Sequence, residues 1–169
     1  TRRPSALAIE TNCRDLARYA LICQAEGLVP VVEPDLVLKG AHSLDDALEA
    51  NARVNLELFR ACSDYGVHLE GCLLKTNMVR PGRDCADALD LAAVADANLK
   101  MLRRVLPVAV RSVNYLSGGL SLDEACATLA AINAVKQRNG GAGYAPWNLS
   151  FSWWRAARIR RVLPSARVE

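Results

Sequence analysis

Short apolar segments with the character of strands alternate with longer amphipathic segments along nearly the whole chain. The apolar segments begin roughly 40 residues apart, at 28–32, 68–74, 110–116 and 147–152. Apolar residues at helical spacing occupy the intervals between them. Strands separated by helices of this length form parallel sheets with right-handed crossovers. The alternation therefore predicts an α/β fold with a four-stranded parallel sheet.

Helix boundary signals support the same division. The first helix is predicted over Ser5–Glu26, with Gly27 as its C-terminal stop. Two later helices begin at capping-box sequences, Ser43–Asp46 and Ser121–Glu124. Pro107 ends the helix that lies between those two.

Chain length and composition limit the fold further. With 169 residues, of which 51% are hydrophobic, the chain can bury the core of one globular domain. No linker or change in composition divides it, so residues 1–169 are predicted to form a single domain. A complete (β/α)8 barrel needs roughly 200 residues or more and is excluded. No apolar run reaches the roughly 18 residues of a membrane span, so no membrane association is predicted.

The cysteines and histidines argue against a disulfide framework and against a metal site. Six cysteines form no C-x-x-C pair, and His42 and His68 stand alone in the sequence. Most of the cysteines fall in apolar periodic segments, where a free thiol acts as a small hydrophobic residue. These features predict a reducing, cytoplasmic compartment and a protein without a metal or other cofactor.

The charge balance gives little indication of a macromolecular partner. The 21 basic residues are nearly balanced by 18 acidic residues, which leaves a net charge of +3. Arginine is in local excess only after residue 154, where either a nucleic-acid site or a solvated helix face would fit. Because the run has no interleaved aromatic residues, we favour the solvated face and predict no nucleic-acid binding.

Each predicted strand is followed by a reactive or anion-binding group. Glu33 and Asp35 follow the first strand, Lys75 ends the second, Ser117 follows the third and Arg155 follows the fourth. Active sites of parallel α/β proteins lie at the carboxyl ends of the strands. We therefore expect these groups to share one edge of the sheet.

Lys75 is the candidate nucleophile at that edge. A lysine at the rim of an apolar interior loses hydration, which favours the neutral amine that attacks carbonyl carbon. A lysine that reaches into solvent or pairs with Glu33 is the alternative, and position alone slightly favours it.

Glu33 and Asp35 are two residues apart and are expected on the same side, where two carboxylates suit proton transfer. An acidic pair that caps a loop or binds water is the alternative for them.

The segment Ser117-Gly118-Gly119 is a candidate oxyanion or phosphate site. It offers a hydroxyl and backbone N–H groups just before a helix N-terminus. A plain tight turn is the alternative. Arg155 is expected either to hold a second face of the same phosphate by paired hydrogen bonds or to be solvated.

Several segments in this order resemble those of class I fructose-bisphosphate aldolases. They are PSALAI at 4–9, LARYA at 16–20, GLVPVVEP at 27–34, LEGCLLK at 69–75, LSGG at 116–119, AIN at 131–133, PW at 146–147 and SFS at 150–152. The resemblance implies a parallel (βα)4 half of a TIM (β/α)8 barrel. It also implies a glycolytic lyase that cleaves fructose 1,6-bisphosphate to dihydroxyacetone phosphate and glyceraldehyde 3-phosphate.

The same resemblance implies a role for each candidate residue. Lys75 resembles the lysine that forms a Schiff base with the substrate ketone, and its iminium would act as the electron sink without a metal. Glu33 resembles the acid/base that assists dehydration of the carbinolamine, and Asp35 stands where the family has a second acid, usually Glu. One substrate phosphate is expected to bind Ser117, Gly118 and Arg155.

The sequence departs from the family pattern at specific places. Thr76 replaces the proline that usually follows the lysine, and Trp154 stands where the family has Gly or Ala. The first half of the barrel is not among the 169 residues. An inactive aldolase-derived fragment that binds sugar phosphates or another protein is therefore the alternative function.

A half-barrel also implies a partner besides the sugar phosphate. Its two sheet edges and one apolar inner face, with residues such as Val31, Leu73 and Tyr115, would be open to solvent. We therefore expect a homo-oligomer or association with a complementary half-barrel.

Overall fold

Helices and parallel strands alternate along residues 4–153, the part of the chain that this computed structural model describes. They follow one another as α1 (Ala6–Ala25), β1 (Val31–Val32), α2 (Leu44–Asp64), β2 (Leu73–Thr76), α3 (Leu91–Val105), β3 (Ser112–Tyr115), α4 (Leu122–Arg138) and β4 (Asn148–Phe151). Short 3-10 turns, Leu69–Gly71 and Gly141–Gly143, precede β2 and β4. The predicted alternation is confirmed. Within this part of the chain, no helix is long and apolar enough to cross a membrane.

The strands form one sheet in the order β1-β2-β3-β4, and every neighbouring pair is parallel. Val32 lies beside Leu74, Leu74 beside Val113, and Val113 beside Leu149. Each helix packs against the next one along the chain. Because consecutive strands are parallel neighbours, their carboxyl ends lie at the same edge of the sheet.

Both predicted capping boxes are present. The Ser43 hydroxyl accepts a hydrogen bond from the Asp46 backbone N–H (3.1 Å), and the Asp46 carboxylate accepts one from the Ser43 N–H (3.3 Å). Ser121 and Glu124 make the same exchange at the start of α4, at 3.2 and 2.8 Å. These caps satisfy backbone donors that the first helical turn leaves unpaired, and so they fix where the two helices begin.

All four strands are shorter than predicted, and for the first two the contacts give the reason. β1 begins at Val31 rather than at residue 28, because the Leu28 N–H bonds back into the end of α1 (2.8 Å). β2 begins at Leu73 rather than at residue 68, because the backbone of His68 bonds to the side chain of Gln24 on α1 (2.8 and 3.0 Å). In both cases a helix takes backbone groups that the apolar pattern assigned to the sheet.

Successive strand residues alternate between a face that the helices cover and an open face. The covered face carries an apolar row that is nearly fully buried, Val32, Leu74, Val113 and Leu149. The open face carries half-buried or exposed residues, Val31, Leu73, Lys75, Ser112, Asn114, Asn148 and Ser150.

The expectation of an apolar inner face is therefore only partly correct. Val31 and Leu73 do lie on the open face, but the open-face residues of β3 and β4 named above are serines and asparagines. Tyr115 lies on the covered face beside Thr76 and is 0% exposed, so its predicted placement is wrong. The physical reason is the pleat, because Tyr115 is two residues from the buried Val113 and shares its face.

Candidate active site

Lys75 and Glu33 form an ion pair at the carboxyl edge of the sheet. The Lys75 Nζ lies 3.0 Å from the Glu33 Oε1, with 22% of the lysine side chain and 43% of the glutamate side chain exposed. Because Val31 pairs with Leu73 and Val32 with Leu74, continuing the register places Glu33 beside Lys75. The pair with Glu33, which the sequence offers as the alternative to a nucleophilic lysine, is thus present in the structure. It leaves the amine partly buried, with a carboxylate in position to exchange its proton.

A row of polar side chains continues from Lys75 across the open face. Asn114 on β3 is in register with Lys75, and Ser150 on β4 is in register with Asn114. The Ser112 hydroxyl donates to the Asn114 Oδ1 (3.1 Å) and lies 3.3 Å from the Asn148 Nδ2, which donates to it. The sequence reasoning missed this row. Its signal was the period of two in these short strands, which places alternate polar residues on one face.

Asp35 borders a cleft beside the β1–α2 loop. Glu33 and Asp35 are both exposed and the intervening Pro34 is buried. Asp35 lines the cleft, and Glu33 is not among its lining residues. The cleft has a volume of about 770 Å³. Its polar lining consists of Asp35, Lys39, His42, Asp46, Asn51, Asn77 and Arg80.

Residues 117–119, the Ser117–Gly119 turn, lie at the same edge as Lys75. The Leu116 N–H donates to the Thr76 carbonyl oxygen (2.9 Å), which places the turn next to the end of β2. Gly118 and Gly119 have φ values of +54° and +81°, a region that favours glycine. The Leu120 N–H closes the turn by donating to the Ser117 carbonyl oxygen (2.8 Å). The tight turn considered as an alternative is present, and it directs the chain into the first turn of α4.

Two arginines of the β2–α3 loop reach toward this turn and toward α4. The Arg83 Nη2 donates to the Gly119 carbonyl oxygen. Arg80 is only 6% exposed, and its Nη1 donates to the Thr128 hydroxyl on α4 (2.9 Å). Burial lowers the pKa of the Arg80 guanidinium from its usual value. Neither arginine was singled out in the sequence, because each lies in a loop without a recognisable motif.

The predicted site is thus assembled in part. Glu33, Lys75 and the Ser117–Gly119 turn lie at one edge of the sheet, with Asp35 beside the neighbouring cleft. Arg155 and Trp154 lie outside the described residues. Among residues 4–153 there is no group of three His, Cys, Asp or Glu side chains that could hold a metal ion.

Comparison with known proteins finds similarity to fructose-bisphosphate aldolases, both in a family model and in individual sequences. A family model described as fructose-bisphosphate aldolase class-I matches residues 1–162. Cytosolic fructose-bisphosphate aldolase 4 of Arabidopsis thaliana is 44% identical over 153 residues, which are 90% of this chain and 37% of that protein. Fructose-bisphosphate aldolase B of Sparus aurata is 45% identical over 151 residues, 89% of this chain and 40% of that protein.

A solved structure gives the same result for the fold. It is that of fructose-bisphosphate aldolase from Plasmodium falciparum, in a ternary complex with TRAP and a small molecule inhibitor. It superposes with a TM-score of 0.87 at 39% identity, over 93% of this chain and 43% of that chain. The present chain therefore spans about two fifths of the length of the proteins that it matches.

Proposed function

The chain belongs to the class-I fructose-bisphosphate aldolase family, and from that premise we propose that it carries the Schiff-base half of an aldolase site. The proposed reaction is cleavage of fructose 1,6-bisphosphate to dihydroxyacetone phosphate and glyceraldehyde 3-phosphate. Lys75 is the proposed nucleophile, and Glu33 is the proposed acid/base. The single observation that carries this proposal is the 3.0 Å contact between the Lys75 Nζ and the Glu33 Oε1.

The contact suits the proton transfers that imine formation requires. The Lys75 ammonium group gives a proton to the Glu33 carboxylate, and the neutral amine then adds to the substrate ketone to form a carbinolamine. Glu33 returns the proton to the carbinolamine hydroxyl, which leaves as water and produces the iminium. A base within hydrogen-bond distance is the geometry that such general acid–base catalysis needs.

The iminium then withdraws the electrons of the breaking bond. When the C3–C4 bond breaks, its electron pair forms an enamine with the former iminium, the C4 hydroxyl gives its proton to the Glu33 carboxylate, and C4 becomes the aldehyde carbon. Glu33 then gives that proton to the enamine carbon, and water hydrolyses the resulting iminium to release dihydroxyacetone phosphate and the free lysine. Asp35 is the proposed second acid. This route uses the lysine itself as the electron sink, so the proposal includes no metal or other cofactor.

We propose that one substrate phosphate binds to Ser117, Gly118 and Arg155. The Ser117–Gly119 turn supports the first two, because it leads into the first turn of α4 at the edge that carries Lys75. Helix N-terminal turns of this kind suit anions. Arg155 enters the proposal from the family resemblance and the order of the sequence.

The proposed partners also include a second protein surface. Within the described sheet β1 pairs with β2 only, and apolar side chains in and just before β1 are exposed: Leu28, Val29 and Val31. We propose that a second copy of the chain or a complementary half-barrel covers this edge. Sedimentation velocity should show an assembly larger than a monomer, and a stable monomer over the whole concentration range would contradict this.

A cytoplasmic location is proposed because similar proteins from two plants are named cytosolic or cytoplasmic.

Reductive trapping tests the proposed chemistry. The folded protein is incubated with dihydroxyacetone phosphate and then with borohydride, which reduces an iminium to a stable amine that intact mass detects. We expect an adduct on the wild type and on Lys100→Ala, whose lysine lies exposed on α3, and none on Lys75→Ala. Absence of the adduct from folded wild-type protein would overturn the catalytic proposal and favour the inactive, sugar-phosphate-binding alternative.

A further inference from the structure

We propose that Arg83 is a positioning residue that holds the Ser117–Gly119 turn in the form that receives the substrate phosphate. This inference rests on the proposed function, because it takes that turn as the phosphate site. It adds a residue from another loop, with no direct contact to the reacting atoms. The observation behind it is the hydrogen bond from the Arg83 Nη2 to the Gly119 carbonyl oxygen.

The turn needs such a restraint because of its own composition. Gly118 and Gly119 are consecutive and both have positive φ, so this backbone has more accessible conformations than a turn of other residues. Within the turn, the Leu120 N–H to Ser117 oxygen bond fixes one end-to-end distance. The Arg83 contact fixes the Gly119 carbonyl group, which lies between Ser117 and Leu120 in the turn. A binding loop that is ordered before its ligand arrives loses less conformational entropy on binding.

The loop that carries Arg83 is itself anchored. The Arg83 N–H donates to the Leu38 oxygen (3.0 Å), and the Gly82 N–H donates to the His42 oxygen (2.9 Å). A Cβ on Gly82 would lie 2.0 Å from the Gly40 oxygen, so the two loops approach more closely than another residue would permit. The Arg83 side chain therefore extends from a fixed point, and its contact with Gly119 transmits that position to the turn.

The start of α4 is tied to the same loop by a second arginine. The buried Arg80 donates to the Thr128 hydroxyl (2.9 Å), and that hydroxyl donates to the Glu124 carbonyl oxygen (2.7 Å). The pKa of the Glu124 carboxyl is lowered first by its backbone hydrogen bond from Ser121 and also by the charges of Arg80 and Arg83. Both guanidinium groups thus lie near the first turn of α4. The β2–α3 loop, which directly follows the strand of Lys75, joins the proposed nucleophile to the proposed phosphate site.

A comparison of matched variants tests the inference. Dihydroxyacetone phosphate is titrated into 15N-labelled protein, and binding is followed at the Gly118 and Gly119 amide resonances. Arg83→Ala should weaken binding roughly tenfold, as expected for loss of a charged hydrogen bond that orders the turn. Arg83→Lys retains one donor and should recover most of the affinity. Arg111→Ala is the charge-matched control, because Arg111 is exposed just before β3 at the opposite edge of the sheet. Binding by Arg83→Ala within twofold of wild type would overturn the inference.

A measurement without ligand separates this inference from the proposed function. Amide hydrogen exchange at Leu120, whose N–H closes the turn, should be about fivefold or more faster in Arg83→Ala than in wild type. Exchange at Ala125 inside α4 should remain unchanged. If wild-type protein does not bind dihydroxyacetone phosphate at the turn, the phosphate-site proposal fails, whereas unchanged exchange at Leu120 in Arg83→Ala overturns the positioning role.

Discussion

The two faces of the sheet differ in the side chains that they carry. On the covered face, Leu74 and Val113 are fully buried in an apolar row. On the open face, the residues next to them are Lys75 and Asn114, which are half-buried and polar. Because strand residues alternate with a period of two, each short strand contributes to the core with one set of side chains and to the site with the other. Substitutions at neighbouring positions of β2 should therefore affect either the stability of the fold or the chemistry of the site.

The polar groups of the two faces also differ in how well they are satisfied. On the open face, the Asn114 Oδ1 accepts from Ser112 and the Lys75 ammonium group meets Glu33. On the covered face, the Thr76 Oγ1 and the Tyr115 hydroxyl are buried without a hydrogen-bond partner in the described part of the chain. Burial also raises the pKa of Tyr115. An unsatisfied buried hydroxyl costs stability, so the covered face contains a defect that the open face lacks.

The largest expected effect is a loss of stability at alkaline pH, caused by thiols buried in the core. Burial raises the pKa of the Cys62 thiol from 9.0 to about 12, and burial raises those of Cys13 and Cys72 to about 11. A raised pKa in the folded state means that stability is full below pH 9 and falls as the pH rises toward 12. For Cys62 alone the loss by pH 11 is about 3 kcal/mol. Urea unfolding of the reduced protein between pH 8 and pH 11 measures this loss.

Two alanine variants identify the thiol responsible. Cys62→Ala should lessen the alkaline decrease in the free energy of unfolding, while Cys13 and Cys72 still contribute to it. Cys126→Ala removes an exposed thiol and should leave the decrease as in wild type. If the free energy of unfolding falls equally with pH in wild type and both variants, burial of the Cys62 thiol is not a cause of the alkaline loss.

The next largest effect compares neighbours on opposite faces of β2. Leu74→Ala should lower the free energy of unfolding by about 3 kcal/mol, because it removes a fully buried side chain and leaves a cavity. Leu73→Ala on the open face should lower it by about 1 kcal/mol, since that side chain is only partly buried. Chemical denaturation of both variants gives the comparison. Similar losses would mean that both faces of this strand contribute equally to the core.

The smallest of these effects concerns two buried threonines. Thr76→Val removes the unpartnered hydroxyl and should raise the free energy of unfolding by about 1 kcal/mol. Thr128→Val should lower it by about 1 to 2 kcal/mol, because the Thr128 hydroxyl accepts from Arg80 and donates to Glu124. The same chemical change is thus expected to have opposite signs at the two positions. A loss of stability in Thr76→Val would contradict the assignment of a defect on the covered face.

The sequence was most informative where a local rule decides the structure. The capping boxes at Ser43 and Ser121 depend on residues three apart, and the structure contains both. The position of Lys75 at a strand end follows from the apolar run before it. The turn at Ser117 follows from two glycines that precede a cap.

The sequence was least informative where distant groups compete for the same partner. Gln24 lies on α1, yet its side chain sets the start of β2 by bonding to the backbone of His68. Arg83 reaches Gly119 from another loop, and no local pattern indicates that contact. The prediction for Tyr115 is wrong because the face on which a residue of a short strand lies depends on which residues its neighbours and helices bury.

The most direct test of the account measures which carboxylate serves Lys75. The rate of borohydride-trapped adduct formation with dihydroxyacetone phosphate is compared among wild type, Glu33→Gln and Asp35→Asn. Because the Glu33 Oε1 lies 3.0 Å from the Lys75 Nζ, Glu33→Gln should slow trapping by about a hundredfold, a typical loss for general acid–base catalysis. Asp35→Asn, at the neighbouring cleft, should slow it by less than about tenfold. Equal rates for wild type and Glu33→Gln would contradict the account, because the contact at the open face would then play no part in forming the Schiff base.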